Sequence, residues 1–129
     1  VGARILIIED DPASLELARY LLASAGYVAI VASDGGAGVE LALSARPDLV
    51  ICDLQMPVLD GYEVVRRLRS DPGWHRVPLV AVSAFSMPGD RETALAAGFD
   101  AYYSKPIVPE AFVGDIERLL PEGERQPRS

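Results

Sequence analysis

The chain has 129 residues, half of them apolar, and its 19 acidic and 12 basic side chains give a formal charge of −7. That length suits one compact domain and is short for two, and the apolar share supplies a core without disulfides or a structural metal. So acidic a surface repels nucleic acid and anionic lipid, while a lone cysteine and a lone histidine, Cys52 and His75, exclude an internal disulfide and the usual structural zinc sets.

No apolar stretch approaches the roughly 20 residues that span a bilayer. Residues 1–3 read as a short lead, and Val1-Gly2-Ala3-Arg4 lacks the build of a secretion signal. A free cysteine within an apolar run suits the reducing cytoplasm. The expected domain is 4–120, followed by a flexible polar tail at 121–129, rich in charge and proline.

Arg4-Ile5-Leu6-Ile7-Ile8 is continuously apolar after its first residue, the pattern of a parallel strand covered on both faces. It ends in Glu9-Asp10-Asp11. Asp11-Pro12 reads as an N-cap with proline in the first turn, opening a helix to about Ser24 that turns Leu15, Ala18, Leu22 and Ala25 inward. Gly26 stops it. Tyr27 to Val31 is the second strand, and Asp34-Gly35-Gly36 opens a helix through Ala45 with Val39, Ala42 and Leu43 as inward candidates. Pro47 breaks that helix before the third strand, Leu49 to Cys52, and Asp53 stands at the strand's carboxyl end. A loop from Leu54 to Asp60 leads into a helix over Gly61 to Arg69, whose Arg66, Arg67 and Arg69 read as a solvated face. Residues 70–76 read as a polar turn, with His75 on the surface. Val77 to Val82 is the fourth strand. Pro88 and Asp90 open a helix ended by Gly98, Ala101 to Tyr103 is the fifth strand, and Val108 to Leu120 is the last helix, with Phe112, Ile116 and Leu119 inward.

Five strands alternating with five helices predict an α/β fold, a (βα)5 flavodoxin-like three-layer sandwich with a parallel sheet in the order 2-1-3-4-5. Ligands of such sheets bind beyond the carboxyl ends of the strands, where strand order reverses, here between strands 1 and 3. The acids at those two ends are Glu9, Asp10 and Asp53. Three converging carboxylates repel one another, and a hard divalent cation such as Mg2+ resolves that repulsion. A carboxylate beside such a cation can act as a nucleophile toward phosphorus. Lys105, the only lysine, follows strand 5 and can set an ammonium against Asp53, while Ser83 ends strand 4 with a hydroxyl donor. Cys52 reads as a packed strand residue with no neighbouring base to activate it.

The segments Ile5-Leu6-Ile7-Ile8-Glu9-Asp10-Asp11, Asp53-Leu54-Gln55-Met56-Pro57-Val58-Leu59-Asp60-Gly61, Ala81-Val82-Ser83-Ala84 and Tyr102-Tyr103-Ser104-Lys105-Pro106 occur in this order, with 30 positions from Asp53 to Ser83 and 52 to Lys105. Together they resemble the receiver domain of two-component response regulators over about residues 4–120. The stretch from Ala81 to Asp90 resembles single-domain receivers of the DivK kind and receivers attached to hybrid histidine kinases. The resemblance implies that Asp53 is the phosphoacceptor, and that Glu9, Asp10, Asp53 and the backbone carbonyl of Gln55 hold Mg2+, for which Mn2+ substitutes. It implies that Ser83, the backbone of Ala84 and Lys105 contact the phosphoryl group, and that Lys105–Pro106 is a cis peptide. Ser83 and Tyr102 match the family's switch pair, the ring turning inward as the hydroxyl moves and so altering the helix 4–strand 5–helix 5 face. Phe85 and Met87 lie near that switch, with docking and anchoring roles equally open. The implied partners are a histidine kinase, a histidine phosphotransferase, or a kinase regulated through protein contact, without nucleic-acid binding or membrane insertion. Intrinsic phosphotransfer and autodephosphorylation make it a signalling domain, not a metabolic enzyme.

Two rival readings remain: a pseudo-receiver of the same fold that is never phosphorylated, and a hydrolase of small phosphoesters working through an aspartyl-phosphate. The intact set Glu9, Asp10, Asp53, Ser83 and Lys105 argues against the first. Gln55, standing where a second acid would serve the second, argues against that one. A flavodoxin-like electron carrier is disfavoured because acids after strand 1 suit a flavin phosphate badly.

Overall fold

Proline and glycine punctuate the chain between apolar runs, and the backbone follows that punctuation closely. In the computed structural model, which describes residues 2–84 and 86–121, ten elements alternate. They are β1 (Arg4–Ile8), α1 (Pro12–Ser24), β2 (Val28–Ala32), α2 (Gly35–Ala45), β3 (Leu49–Asp53), α3 (Gly61–Arg69), β4 (Leu79–Ser83), α4 (Asp90–Ala97), β5 (Ala101–Ser104) and α5 (Pro109–Glu117). All strand pairs are parallel, in the order β2-β1-β3-β4-β5. This is the predicted doubly wound sheet.

The residues of each central strand alternate between two cores. Leu6, Ile8, Val50, Cys52, Leu79 and Ala81 pack with Val39 and Ala42 of α2, Val64, Val65 and Leu68 of α3, and Ala94 of α4. Ile5, Ile7, Leu49, Ile51, Val80 and Val82 pack with Ala18 and Leu22 of α1 and with Phe112 and Ile116 of α5. Each Val, Leu, Ile or Phe among them contributes about 1.5–3 kcal/mol on full burial, so the two layers supply most of the driving force. Helices 2, 3 and 4 therefore cover one face and helices 1 and 5 the other.

Side-chain caps fix three helix starts. Asp11, Asp34 and Asp60 each accept a backbone N–H from the residue three positions on, at Ser14, Ala37 and Glu63. Gly26, with φ 97°, follows the end of α1 as a left-handed stop. Gly61 is required by contact rather than by conformation, since a Cβ there would lie 2.6 Å from the Asp53 carbonyl oxygen.

Several details depart from expectation. β2 runs one residue later than Tyr27 to Val31, because Tyr27 turns into the α1/α5 core and bonds Glu117 through its hydroxyl. β4 begins at Leu79 rather than Val77, beyond Pro78. Leu43 is exposed, as α2 presents Val39 and Ala42 inward instead. The last helix ends at Glu117, and Leu120 is buried more deeply than Leu119. The polar turn holds a 3-10 turn, Pro72–Trp74, whose Trp74 is fully buried against α3 and β4, while His75 is exposed.

Arg69 is not on a solvated face. Its guanidinium donates to the carbonyls of Gly98, Trp74 and Val77 and pairs with Asp100, tying α3 to the loops on either side of β4 and α4. Arg66 and Arg67 do stand in solvent, both paired with Glu63. No helix among the described residues is long and apolar enough to cross a membrane. The expected tail at 121–129 falls, apart from Pro121, outside the described residues, as does Phe85.

Candidate functional site

The parallel register brings the carboxyl ends of β1 and β3 level, Ile8 opposite Cys52. The next residues, Glu9 and Asp53, are therefore neighbours at the sheet edge. Asp53 is held as the last residue of β3, and the Leu54 N–H just beyond it donates to Val82 O. Glu9 is fixed by its own N–H, which donates to Ala32 O across β2. Both carboxyl residues are almost fully buried, whereas Asp10 faces solvent. Carboxylate oxygens of Glu9, Asp10 and Asp53 lie within 4.8 Å of one another.

Lys105 enters this group from the end of β5. Its N–H donates to Ser83 O, and the Lys105–Pro106 peptide that follows is cis. The ammonium Nζ sits 2.6 Å from Glu9 Oε1 and 3.3 Å from Asp53 Oδ2. The remaining carboxylate oxygens are held by main-chain donors: Asp11 N–H to Glu9 Oε2 at 3.1 Å, and Gln55 N–H to Asp53 Oδ1 at 3.1 Å. Asp11 also caps α1, as expected, through Ser14.

Burial, and then the close Asp53 carboxylate, push the Glu9 carboxyl up to about 7; the Lys105 ammonium opposes this without overcoming it. Burial works against the charge of Lys105, yet Glu9 and Asp53 outweigh it and hold the ammonium above its ordinary range. The buried Cys52 thiol is likewise pushed far up, first by burial and then by the Asp53 charge. It is an inert packing residue.

Three hard oxygen donors, two of them buried and one of those reluctant to ionise, form a set with an excess of negative charge and too few counter-charges. An acidic cluster of this kind is compatible with Mg2+, which takes a few carboxylate oxygens and keeps several waters. The donor chemistry fits.

Ser83, fully buried at the end of β4, donates its hydroxyl to Gln55 Oε1 at 3.0 Å. Ala84 follows it and is exposed. Tyr102 lies on β5 with its ring inward and its hydroxyl 2.7 Å from Ser86 Oγ. Sequence reasoning gave neither the Gln55 side chain nor Ser86 a hydrogen-bonding role. The partner of Ser83 turns on a side-chain rotamer, and that of Tyr102 on the path of the β4–α4 connection, neither of which has a sequence signature.

The arrangement has close counterparts among known proteins. The model of the response regulator receiver domain matches residues 5–117. The polar-differentiation response regulator DivK of Brucella anthropi is 37% identical over 116 residues, spanning 90% of this chain and 94% of that protein. The chemotaxis protein CheY4 of Vibrio cholerae superposes with a TM-score of 0.87 at 28% identity, covering 93% of this chain and 100% of that one. The receiver domain of the sensor histidine kinase PA1611 from Pseudomonas aeruginosa, solved with a magnesium ion coordinated in its active site cleft, gives 0.84 at 34% identity, covering 92% and 98%. Both kinds of receiver that the Ala81–Asp90 stretch resembles, DivK-like and kinase-attached, are thus among the relatives. The chain belongs to the response regulator receiver domain family of two-component signalling.

Proposed function

We propose that Asp53 accepts a phosphoryl group from the phosphohistidine of a histidine kinase or histidine phosphotransferase, in a Mg2+-dependent reaction. The observation that carries this reading is the buried Asp53 carboxylate gathered with Glu9 and Asp10 within 4.8 Å and faced by the Lys105 ammonium at 3.3 Å. In the transfer, an Asp53 carboxylate oxygen attacks phosphorus, the P–N bond to the donor imidazole breaks, and its electron pair returns to the ring. Glu9, Asp10, Asp53 and the Gln55 carbonyl would hold the divalent ion. When bound, Mg2+, or Mn2+ in its place, supplies positive charge to the acceptor and to the phosphoryl oxygens.

The chain's own groups do the rest. Lys105 balances the charge brought to Asp53, and the Gln55 N–H orients one oxygen of the acceptor. The Ser83 hydroxyl and the Ala84 N–H donate to phosphoryl oxygens, for which Ser83 must first leave Gln55. The result is read at the α4–β5–α5 surface through Ser83 and Tyr102 by a protein partner in the cytoplasm. Incubation with acetyl phosphate and Mg2+, followed by intact mass, tests the assignment. A gain of about 80 Da that Asp53→Asn abolishes is the expected result. Absence of the gain in the unaltered chain under any donor would leave a pseudo-receiver.

A further inference from the structure

A phenol buried as deeply as Tyr102, only 7% exposed, needs a partner for its hydroxyl. That partner is Ser86, whose Oγ lies 2.7 Å from Tyr102 Oη and 2.8 Å from Ser104 Oγ. Ser86 belongs to the connection between β4 and α4, three positions after Ser83, while Ser104 ends β5 immediately before Lys105. A serine hydroxyl has one proton and two lone pairs, so it can donate to one of these neighbours while accepting from the other. The three oxygens form one chain across the gap between loop and strand. Arg91 adds a second clasp from α4, its Nη1 donating to Tyr102 O at 3.3 Å.

The receiver resemblance couples an inward ring to a switch hydroxyl that has moved toward the phosphoryl group. Here the ring is inward while the Ser83 hydroxyl is engaged with Gln55 Oε1 at 3.0 Å. Ring and switch hydroxyl are therefore held by separate partners.

We propose that Ser86 is a positioning residue, its hydroxyl pinning Tyr102 inward in the resting chain and tying the β4–α4 connection to the strand end that carries Lys105. The geometry stands by itself; the signalling consequence rests on the phosphoacceptor reading of Asp53. Under that reading, any shift of Ser83 and Ala84 toward a phosphoryl group pulls on the same short connection, so Ser86 sets how far the output face is already formed before phosphorylation.

The test uses the full chain labelled with 3-fluorotyrosine, observed by fluorine NMR. The five tyrosines give five resonances, and Tyr102→Phe identifies the one of interest. In the unphosphorylated chain that resonance is expected to be shielded from a soluble paramagnetic agent. Ser86→Ala removes the partner of a buried hydroxyl, and the outward population should rise about tenfold or more. Ser86→Thr, which keeps the hydroxyl, should restore the shielding, and Ser104→Ala should give a smaller shift in the same direction. Adding acetyl phosphate and Mg2+ should then move the resonance more in Ser86→Ala than in the unaltered chain. A Tyr102 signal equally shielded in Ser86→Ala overturns the proposal, and so does failure of Ser86→Thr to restore it. Intact mass on the same samples keeps the two readings apart, because missing phosphorylation sinks the acceptor assignment while leaving the resting-state comparison intact.

Discussion

Replacing Glu9 by Gln should make the domain more stable, by an amount that depends on pH. Glu9 has its carboxyl raised from 4.5 to about 7, so in the folded chain it holds a proton that the unfolded chain would release. A carboxyl raised in this way contributes stability that is fully present below about 4.5 and is lost as pH rises through about 7. At about 1.4 kcal/mol for each pH unit between the two values, ionised Glu9 costs the folded chain up to roughly 3 kcal/mol above neutrality. Glutamine does not ionise, keeps an acceptor oxygen for Lys105 and adds an amide donor that can face Asp53. Glu9→Gln should therefore exceed the unaltered chain by about 1–3 kcal/mol near pH 8 with divalent ions chelated, and match it near pH 4.5. Urea unfolding across that range checks this, since the acids outside the cluster titrate in both chains and cancel. With Mg2+ present the order should narrow or reverse, because only the unaltered chain keeps the Glu9 carboxylate that attracts the ion. A stability difference that does not change with pH, or a variant weaker throughout, would refute the account of the acid cluster.

Two further substitutions probe the frame around the site. Arg69→Met leaves the carbonyls of Gly98, Trp74 and Val77 without their guanidinium donor and should cost about 3 kcal/mol in urea unfolding. Arg69→Lys should recover little of that, because one ammonium cannot reach the same set of acceptors. Val58 sits fully exposed with φ 69°, a left-handed conformation costly for a β-branched residue. Val58→Asn should raise stability by about 1 kcal/mol without changing the rate of labelling by acetyl phosphate, and a drop in the melting temperature would contradict it.

The strands and caps were legible because their signals are local. Ile5 to Ile8 and Leu49 to Cys52 are too apolar for any place but a sheet covered on both sides, and aspartates before Pro12 and Gly35 mark helix starts. Once the order 2-1-3-4-5 follows, the meeting of Glu9, Asp10 and Asp53 is a matter of topology. What failed to show was either ambiguous in pattern or remote in sequence. The helix of Gly35 to Ala45 carries apolar residues on most sides, so no polar face singled out Leu43 as the exposed one. Arg69 looked like its neighbours Arg66 and Arg67 because its partners come from the 72–77 turn and from Gly98 and Asp100, which no helical periodicity reports. Trp74 sat in a polar stretch, and only the packing of α3 on β4 explains its burial. Its indole N–H has no partner among the described residues, so the ring is held by apolar contact while the main chain is held by Arg69 and Asp71.

The acids at the sheet edge cannot relieve their repulsion by moving apart. Main-chain bonds hold Glu9 to Ala32, Leu54 to Val82 and Gly61 to Leu54, and the strands beneath are buried on both faces. With the backbone fixed, the excess charge must be met by whatever small counter-charge is at hand. Here that is the Lys105 ammonium, which lies nearer to Glu9 than to Asp53, aided by a Glu9 carboxyl whose burial and Asp53 neighbour favour its protonated form. On the proposed Mg2+ reading, the rigid frame would convert electrostatic repulsion into affinity for an incoming cation, because stabilisation that a flexible site would gain by spreading its acids is available here only on binding. Under the proposed function the Glu9–Lys105 contact is a holding arrangement: once a bound ion serves Glu9, the ammonium would be free to turn wholly to Asp53 and to a phosphoryl group there. The same rigidity explains why the cluster costs stability when empty, and why removing one of its carboxyl groups should strengthen the fold while weakening its chemistry.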